Sequence, residues 1–264
     1  MTTARRDFTS VTELPEGRAT REQLAMVRTR YHEAEKRSAG RRVLEVACGP
    51  GRGLGLLARR ASFVVGGDVT FELVHRAKAY YGARMKVLQM DAQRMPFADA
   101  SFDLLVLFEA LYYLPDADGF MRECRRVLGP GGTVLISAVN PEWDGSSPSP
   151  MSTQYLSARE LEALLRKHGF EPEIWAAFPV ETTSRAANAV AAVRRTVVKC
   201  GLMPRTLHGR ELLKRIFYGR LRPLGPEVDE SAEFVTPVRL RTQGPFRNFK
   251  ILFAVGNPQT AGET

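Results

Sequence analysis

Cysteine is scarce in this chain of 264 residues: Cys48, Cys124 and Cys200 are widely separated and odd in number. They form neither a CxxC pair nor a metal-ligand cluster, which argues against a disulfide framework or structural zinc and for a reduced compartment. Long apolar runs are also missing. The stretch Leu104 to Phe108 falls far short of a membrane span. The first twenty residues hold nothing like a secretory signal core, so a cytoplasmic location is expected. Only four histidines, His32, His75, His168 and His208, are available for proton transfer.

Charge is present in excess but confined. The net charge is +9. Between Arg185 and Arg222 stand ten Lys or Arg and one acid, Glu211, while the rest of the chain is balanced at 28 of each sign. Such a segment suits a solvated helical face, a cap for an anionic small molecule, or a nucleic-acid or membrane-surface contact.

The remaining pattern alternates. Helix formers run from Arg21 to Lys36, Gly40 stops them, and Arg42 to Val46 reads as a strand. A turn, CGPGRG, leads into a short helix through Leu56, Leu57 and Ala58. Phe63 to Val65 reads as a strand broken by Gly66 and Gly67 before Asp68. A helix over Phe71 to Tyr81 precedes a strand over Met85 to Met90. Phe102 to Phe108 is a continuous apolar run suited to a strand buried on both faces. A helix from Asp116 to Leu128 stops at Gly129-Pro130-Gly131-Gly132, and Thr133 to Val139 follows as a strand. Ser157 and Glu160 form a capping box for a helix reaching His168. Phe170 to Phe178 and Asn248 to Val255 are the last two strand candidates. This order predicts an α/β fold, doubly wound around a parallel sheet with right-handed crossovers.

Chemistry concentrates at the strand ends. The segment Val43 to Gly53 is a strand, a glycine-rich turn and a helix start, where a backbone without Cβ atoms admits close approach of a ligand. Asp68 ends the next strand, 17 residues past Gly51, and Asp91 ends the third. Alone, the glycine turn is shared with nicotinamide enzymes and unrelated loops.

With EVACGPG at 45–51, Asp68, DAQRMPF at 91–97, SFDLLVLFEALYYL at 101–114 and RVLGPGGTVLI at 126–136, the chain resembles the class I S-adenosylmethionine-dependent methyltransferases of type 11. The resemblance implies a seven-stranded, mostly parallel sheet with its last strand antiparallel. It implies S-adenosylmethionine as cofactor, with Ala47, Gly49 and Gly51 beneath its methionine part and Glu45 holding the turn. Asp68, beside Val69, would take the ribose hydroxyls. Asp91 would take the adenine amino group, and the backbone of Ala92 or Gln93 the ring nitrogen. Phe108 and Glu109 would face the sulfonium and the acceptor, although Glu109 also suits a plain helix-start carboxylate. Tyr31 or His32 would close over the cofactor. Tyr112 and Tyr113 are acceptor-site candidates or core aromatics.

A hydroxyl acceptor needs a base, whereas an amine needs only to arrive deprotonated. Glu109, His32 and His208 are the candidates; His168 reads as structural and His75 as solvent-facing. The expected organisation is a helical cap at 1–40, a cofactor core at 41–178, a helical basic insertion at 179–247 and a final strand at 248–256. The insertion is expected to cover the pocket of a small-molecule acceptor, anionic in one reading, such as a sugar or specialised metabolite of the antibiotic type. A homodimer is compatible with the sequence. Nucleic acid is disfavoured, because no RNA-binding module or Asn-Pro-Pro-Tyr motif is present. An RNA or protein methyltransferase, an NAD-dependent oxidoreductase and a non-catalytic cofactor-binding protein are the competing readings.

Overall fold

The structure, a computed structural model, describes residues 7–180, 221–241 and 245–258. In chain order, β1 (Arg18–Ala19) and α1 (Arg21–Ser38) precede β2 (Arg42–Val46), α2 (Leu54–Ala58), β3 (Phe63–Asp68), α3 (Phe71–Tyr81) and β4 (Lys86–Gln89). Then come β5 (Phe102–Phe108), α4 (Ala117–Val127), β6 (Leu128–Val139), α5 (Ala158–Lys167) and β7 (Phe170–Pro179). Past residues 181–220 lie β8 (Arg222–Pro223), β9 (Val238–Arg239) and β10 (Phe249–Pro258).

The main sheet has the order β4-β3-β2-β5-β6-β10-β7-β9. Strands β2 to β6 pair in parallel, while β10 runs antiparallel between β6 and β7. This is the doubly wound, mostly parallel sheet expected from the sequence. An eighth strand, the two-residue β9, is added on the edge of β7. It and β8 fall in the stretch expected to be a helical insertion. The described part of 179–247 is therefore loop and short strand, and the rest of that expectation lies outside the described residues.

Period-two burial divides the sheet's side chains between two helical layers. Leu44, Leu105, Leu107, Leu252 and Ala254 face α4 and α5, packing with Phe120, Met121, Leu161 and Leu165. Val43, Leu104, Val106, Ile251 and Phe253 face the other way, against α1, α2 and α3. Glu45 has the parity of Val43, so it points toward α1.

Two glycine expectations change. Gly66 and Gly67 do not interrupt β3, which is continuous to Asp68. A Cβ on them would lie 2.8 Å from Leu54 and 2.3 Å from Met90, so glycine lets those neighbours close on the strand. The Gly129–Gly132 run likewise stays within β6, where the pairing shifts between Phe102–Leu128 and Leu104–Thr133. It forms an irregularity rather than a gap. The capping box at Ser157 and Glu160 is present.

Candidate functional site

The parallel strands end at one edge of the sheet, the place where open α/β sheets bind ligands. There the turn after β2 carries Ala47, Gly49 and Gly51, all with positive φ, at +55°, +57° and +82°. This conformation aims backbone groups outward, and glycine adopts it at little cost. Asp68 braces the turn: Oδ2 accepts from the Gly49 amide at 2.9 Å, while Oδ1 accepts from Thr70 N at 2.8 Å. Burial raises the Asp68 pKa, and these backbone donors act against that rise. Behind the turn, the Tyr81 hydroxyl donates to Gly51 O at 2.9 Å and accepts from Gly55 N.

In front of the turn lies a cavity of about 360 Å³. Of the residues expected to form the site, Tyr31, Glu45, Ala47, Gly49, Asp68, Val69, Asp91, Ala92, Phe108, Glu109, Tyr112 and Tyr113 line it. Glu45 is its most perturbed carboxyl. Oε1 accepts from the Tyr31 hydroxyl at 2.5 Å, and Oε2 is buried with no partner. Burial pushes its pKa up to about 7, opposed by the Tyr31 hydrogen bond and the Arg30 charge. An orphaned carboxylate oxygen beside the glycine turn fits a ligand that brings its own cationic donor, as the ammonium of S-adenosylmethionine does.

Glu109 sits just past β5 with φ +51°, its amide donating to Ser137 O. Its carboxylate accepts from Ser137 Oγ at 2.9 Å and Tyr112 Oη at 3.2 Å, and faces Arg30 Nη1 at 3.5 Å. Tyr113 donates to Ser149 Oγ, which brings the Pro/Ser loop to the cavity wall.

Four expectations need correction or fall elsewhere. His32 does not line the cavity: its ring stacks on Phe234 at 4.2 Å, on the far side of α1 from Tyr31's partners. Gly51 does not line the cavity: a Cβ there would stand 3.1–3.2 Å from Leu54, Tyr81 and Ala77. The Gln93 backbone is already used, since its amide and its Nε2 both donate to Asp91 Oδ1. His208 lies outside the described residues. His168 pairs with Asp118 at 2.6 Å and His75 is exposed, as expected.

Sequence reasoning missed the contribution of residues 8–13. Expected only as part of a helical cap at 1–40, this segment crosses the cavity mouth and contributes Phe8, Val11, Thr12 and Glu13. Thr12 Cγ2 stands 3.3 Å from where a Cβ on Gly49 would be, and the Phe8 amide donates to Thr70 Oγ1. Arg30 and Arg52 also line the cavity. No local pattern marks Phe8 or Glu13; Arg52, inside the glycine turn, was the one legible signal.

Residues 44–136 match the model of a family described as "Methyltransferase domain". A probable S-adenosylmethionine-dependent methyltransferase of Mycolicibacterium smegmatis is 38% identical over 148 residues, covering 54% of this chain and 57% of that protein. A fatty-acid O-methyltransferase of the same species is 36% identical over 119 residues, 43% of each chain. The chain thus spans about half the length of these relatives. Among solved structures, a SAM-dependent methyltransferase from Archaeoglobus fulgidus superposes with a TM-score of 0.56 at 16% identity, covering 90% of this chain and 95% of that one. The phosphoethanolamine N-methyltransferase 2 of Haemonchus contortus, in complex with S-adenosyl-L-methionine, gives 0.53 at 18% identity over 87% and 52%. Residues 44–136 are thus similar to a methyltransferase domain, and the fold around this turn is one that S-adenosylmethionine-dependent methyltransferases share.

Proposed function

We propose that the chain transfers a methyl group from S-adenosylmethionine to an oxygen of a small molecule with an apolar body. The observation that carries this reading is the meeting of Glu45, Asp68 and Asp91 around one cavity with Glu109 at its other side. Glu45 Oε2 would hold the cofactor's ammonium, Asp68 its ribose hydroxyls and Asp91 its adenine amino group. The cofactor supplies an already electrophilic methyl group, so alignment of the acceptor accounts for much of the rate.

The chain's own residues do the rest. Phe8, Val11, Met26, Leu114, Val139 and Ile251 give the acceptor an apolar wall and exclude water. Glu109, held by Ser137 and Tyr112, is placed to accept a hydroxyl proton as the bond to carbon forms. The apolar wall supports an acyl-chain or aglycone acceptor over a sugar. The name of the O-methylating relative supports oxygen as the acceptor atom.

Calorimetric titration with S-adenosylhomocysteine and with NAD tests the cofactor. Binding of the first and not the second is expected, and the reverse would overturn the assignment. Methyl-labelled S-adenosylmethionine, offered with hydroxylated acyl chains, free amines and total RNA, tests the acceptor. Label is expected in the acyl chains; label in RNA would sink the small-molecule reading.

A further inference from the structure

Two buried guanidinium groups in the cavity wall meet one carboxylate that does not fully satisfy them. Arg30 is 11% and Arg52 6% exposed at the side chain, and the carboxylate between them belongs to Glu13, 45% exposed. Glu13 Oε2 stands 3.7 Å from Arg30 Nη2 and 3.4 Å from Arg52 Nη1. A well-formed guanidinium–carboxylate pair closes to about 2.7–2.9 Å and is frequently bidentate. Here one oxygen serves two cations at longer range. Arg30 Nε and Arg52 Nη2 remain buried without partners.

The remaining contacts fix the arginines rather than relieve them. Arg52 Nε donates to Gly225 O at 3.1 Å, and Arg52 O accepts from Val228 N. Arg30 Nη1 faces Glu109 at 3.5 Å. Burial works against the Arg30 charge, but Glu109 and Glu13 outweigh it and keep the guanidinium ionised. Two fixed cations with unused N–H groups, lining a ligand-sized cavity, are costly unless an anion completes them. Glu13 is the exposed partner of the three. Its short segment has only a 3-10 turn at Thr9–Val11 and is tied down by Phe8 to Thr70 and by Glu16 to Arg76.

We propose that Arg30 and Arg52 form a carboxylate-binding site, that Glu13 fills it in the ligand-free chain, and that a ligand's carboxylate displaces Glu13 and frees residues 7–16 from the cavity mouth. The occupant in place is itself a carboxylate, which sets the ligand chemistry. Two sources bring one: the amino-acid end of the cofactor, or an acidic acceptor. Arg52 stands inside the glycine turn, and Arg30 precedes the Tyr31 that holds Glu45. An α-amino carboxylate would meet acid and base side by side there. The inference rests on the cavity being the cofactor and acceptor site, which wild-type binding of S-adenosylhomocysteine tests by itself.

The test is calorimetric titration of wild type, Arg30→Gln, Arg52→Gln and Glu13→Gln. The probes are S-adenosylhomocysteine, 5′-methylthioadenosine, which lacks the carboxylate, and octanoate added to the S-adenosylhomocysteine complex. If the cofactor supplies the carboxylate, both arginine variants weaken S-adenosylhomocysteine at least tenfold and leave 5′-methylthioadenosine within twofold. If the acceptor supplies it, S-adenosylhomocysteine is unchanged and octanoate binding is lost. In either case Glu13→Gln, an exposed change that leaves the core intact, strengthens the affected ligand threefold or more by removing the competitor. Arginine variants that weaken neither carboxylate ligand overturn the site. A Glu13→Gln protein that binds no more tightly overturns the displacement.

Discussion

Tyr31, on the helix that precedes the main sheet, donates its hydroxyl to Glu45 at 2.5 Å, and so joins α1 to the end of β2. Both groups are buried, and the Tyr31 ring also meets Phe108 edge-on at 5.3 Å. One side chain therefore closes the cavity from above, holds a perturbed carboxyl and touches the end of β5. Glu45 is left with a single free oxygen, so its protonation and its ligand are coupled.

That coupling sets a pH dependence. Burial lifts Glu45 from the ordinary 4.5 to about 7, so between these values the folded chain keeps a proton that the unfolded chain has lost. Stability of the ligand-free chain should fall as pH rises through this window and level off above it, Glu45 contributing on the order of 3 kcal/mol. Glu45→Gln should flatten that slope in thermal melts from pH 4.5 to 8. Affinity for S-adenosylhomocysteine should rise in wild type as pH passes about 7. Tyr31→Phe should move that midpoint higher, because it removes a bond that favours the carboxylate.

Gly53 is held to its size by the same tyrosine. A Cβ there would lie 1.6 Å from Tyr31 Cε1, a distance no rotamer shift on α1 absorbs easily. Gly53→Ala should cost about 1–3 kcal/mol in denaturant melts through overpacking. It should also weaken S-adenosylhomocysteine, because Tyr31 must leave Glu45.

Asp68 braces the turn and, in the proposed function, would also hold the ligand. Asp68→Ala removes the acceptor of the Gly49 and Thr70 amides and, in the proposed function, the partner of the ribose hydroxyls. Affinity for S-adenosylhomocysteine should drop at least tenfold, about 1.4 kcal/mol. Unchanged affinity by calorimetry would contradict the placement of the cofactor.

Glu109 separates chemistry from binding. Glu109→Gln keeps a side chain of the same shape between Ser137 and Tyr112 but loses the ability to take a proton. Turnover of a hydroxyl acceptor should fall by about a hundredfold, within the range for a lost general base. Affinity for S-adenosylhomocysteine should stay within twofold. His32→Ala, outside the cavity and stacked on Phe234, should leave turnover unchanged in the same assay.

Most of the sheet was legible because period and punctuation are local. Val43 and Leu44 alternate, Phe102 to Phe108 is apolar throughout, and Asp68 and Asp91 stand where strands stop. The stretches that were misread depended on distant neighbours. Gly66 and Gly67 look like a break until Leu54 and Met90 are seen against them. His32 and Tyr31 are adjacent in sequence, so a helix sends them to different faces, and only packing decides which face meets the sheet.

By itself, the sequence determined the fold class, the glycine turn and the acids at the strand ends, since each rests on residue type at short spacing. Tertiary structure decided what surrounds them. It laid Glu13 across Arg30 and Arg52, brought Tyr31 onto Glu45 and left Glu45 with one unpaired oxygen. These are contacts between segments up to 39 residues apart. Their energy depends on burial and distance, and neither is written in the order of the residues.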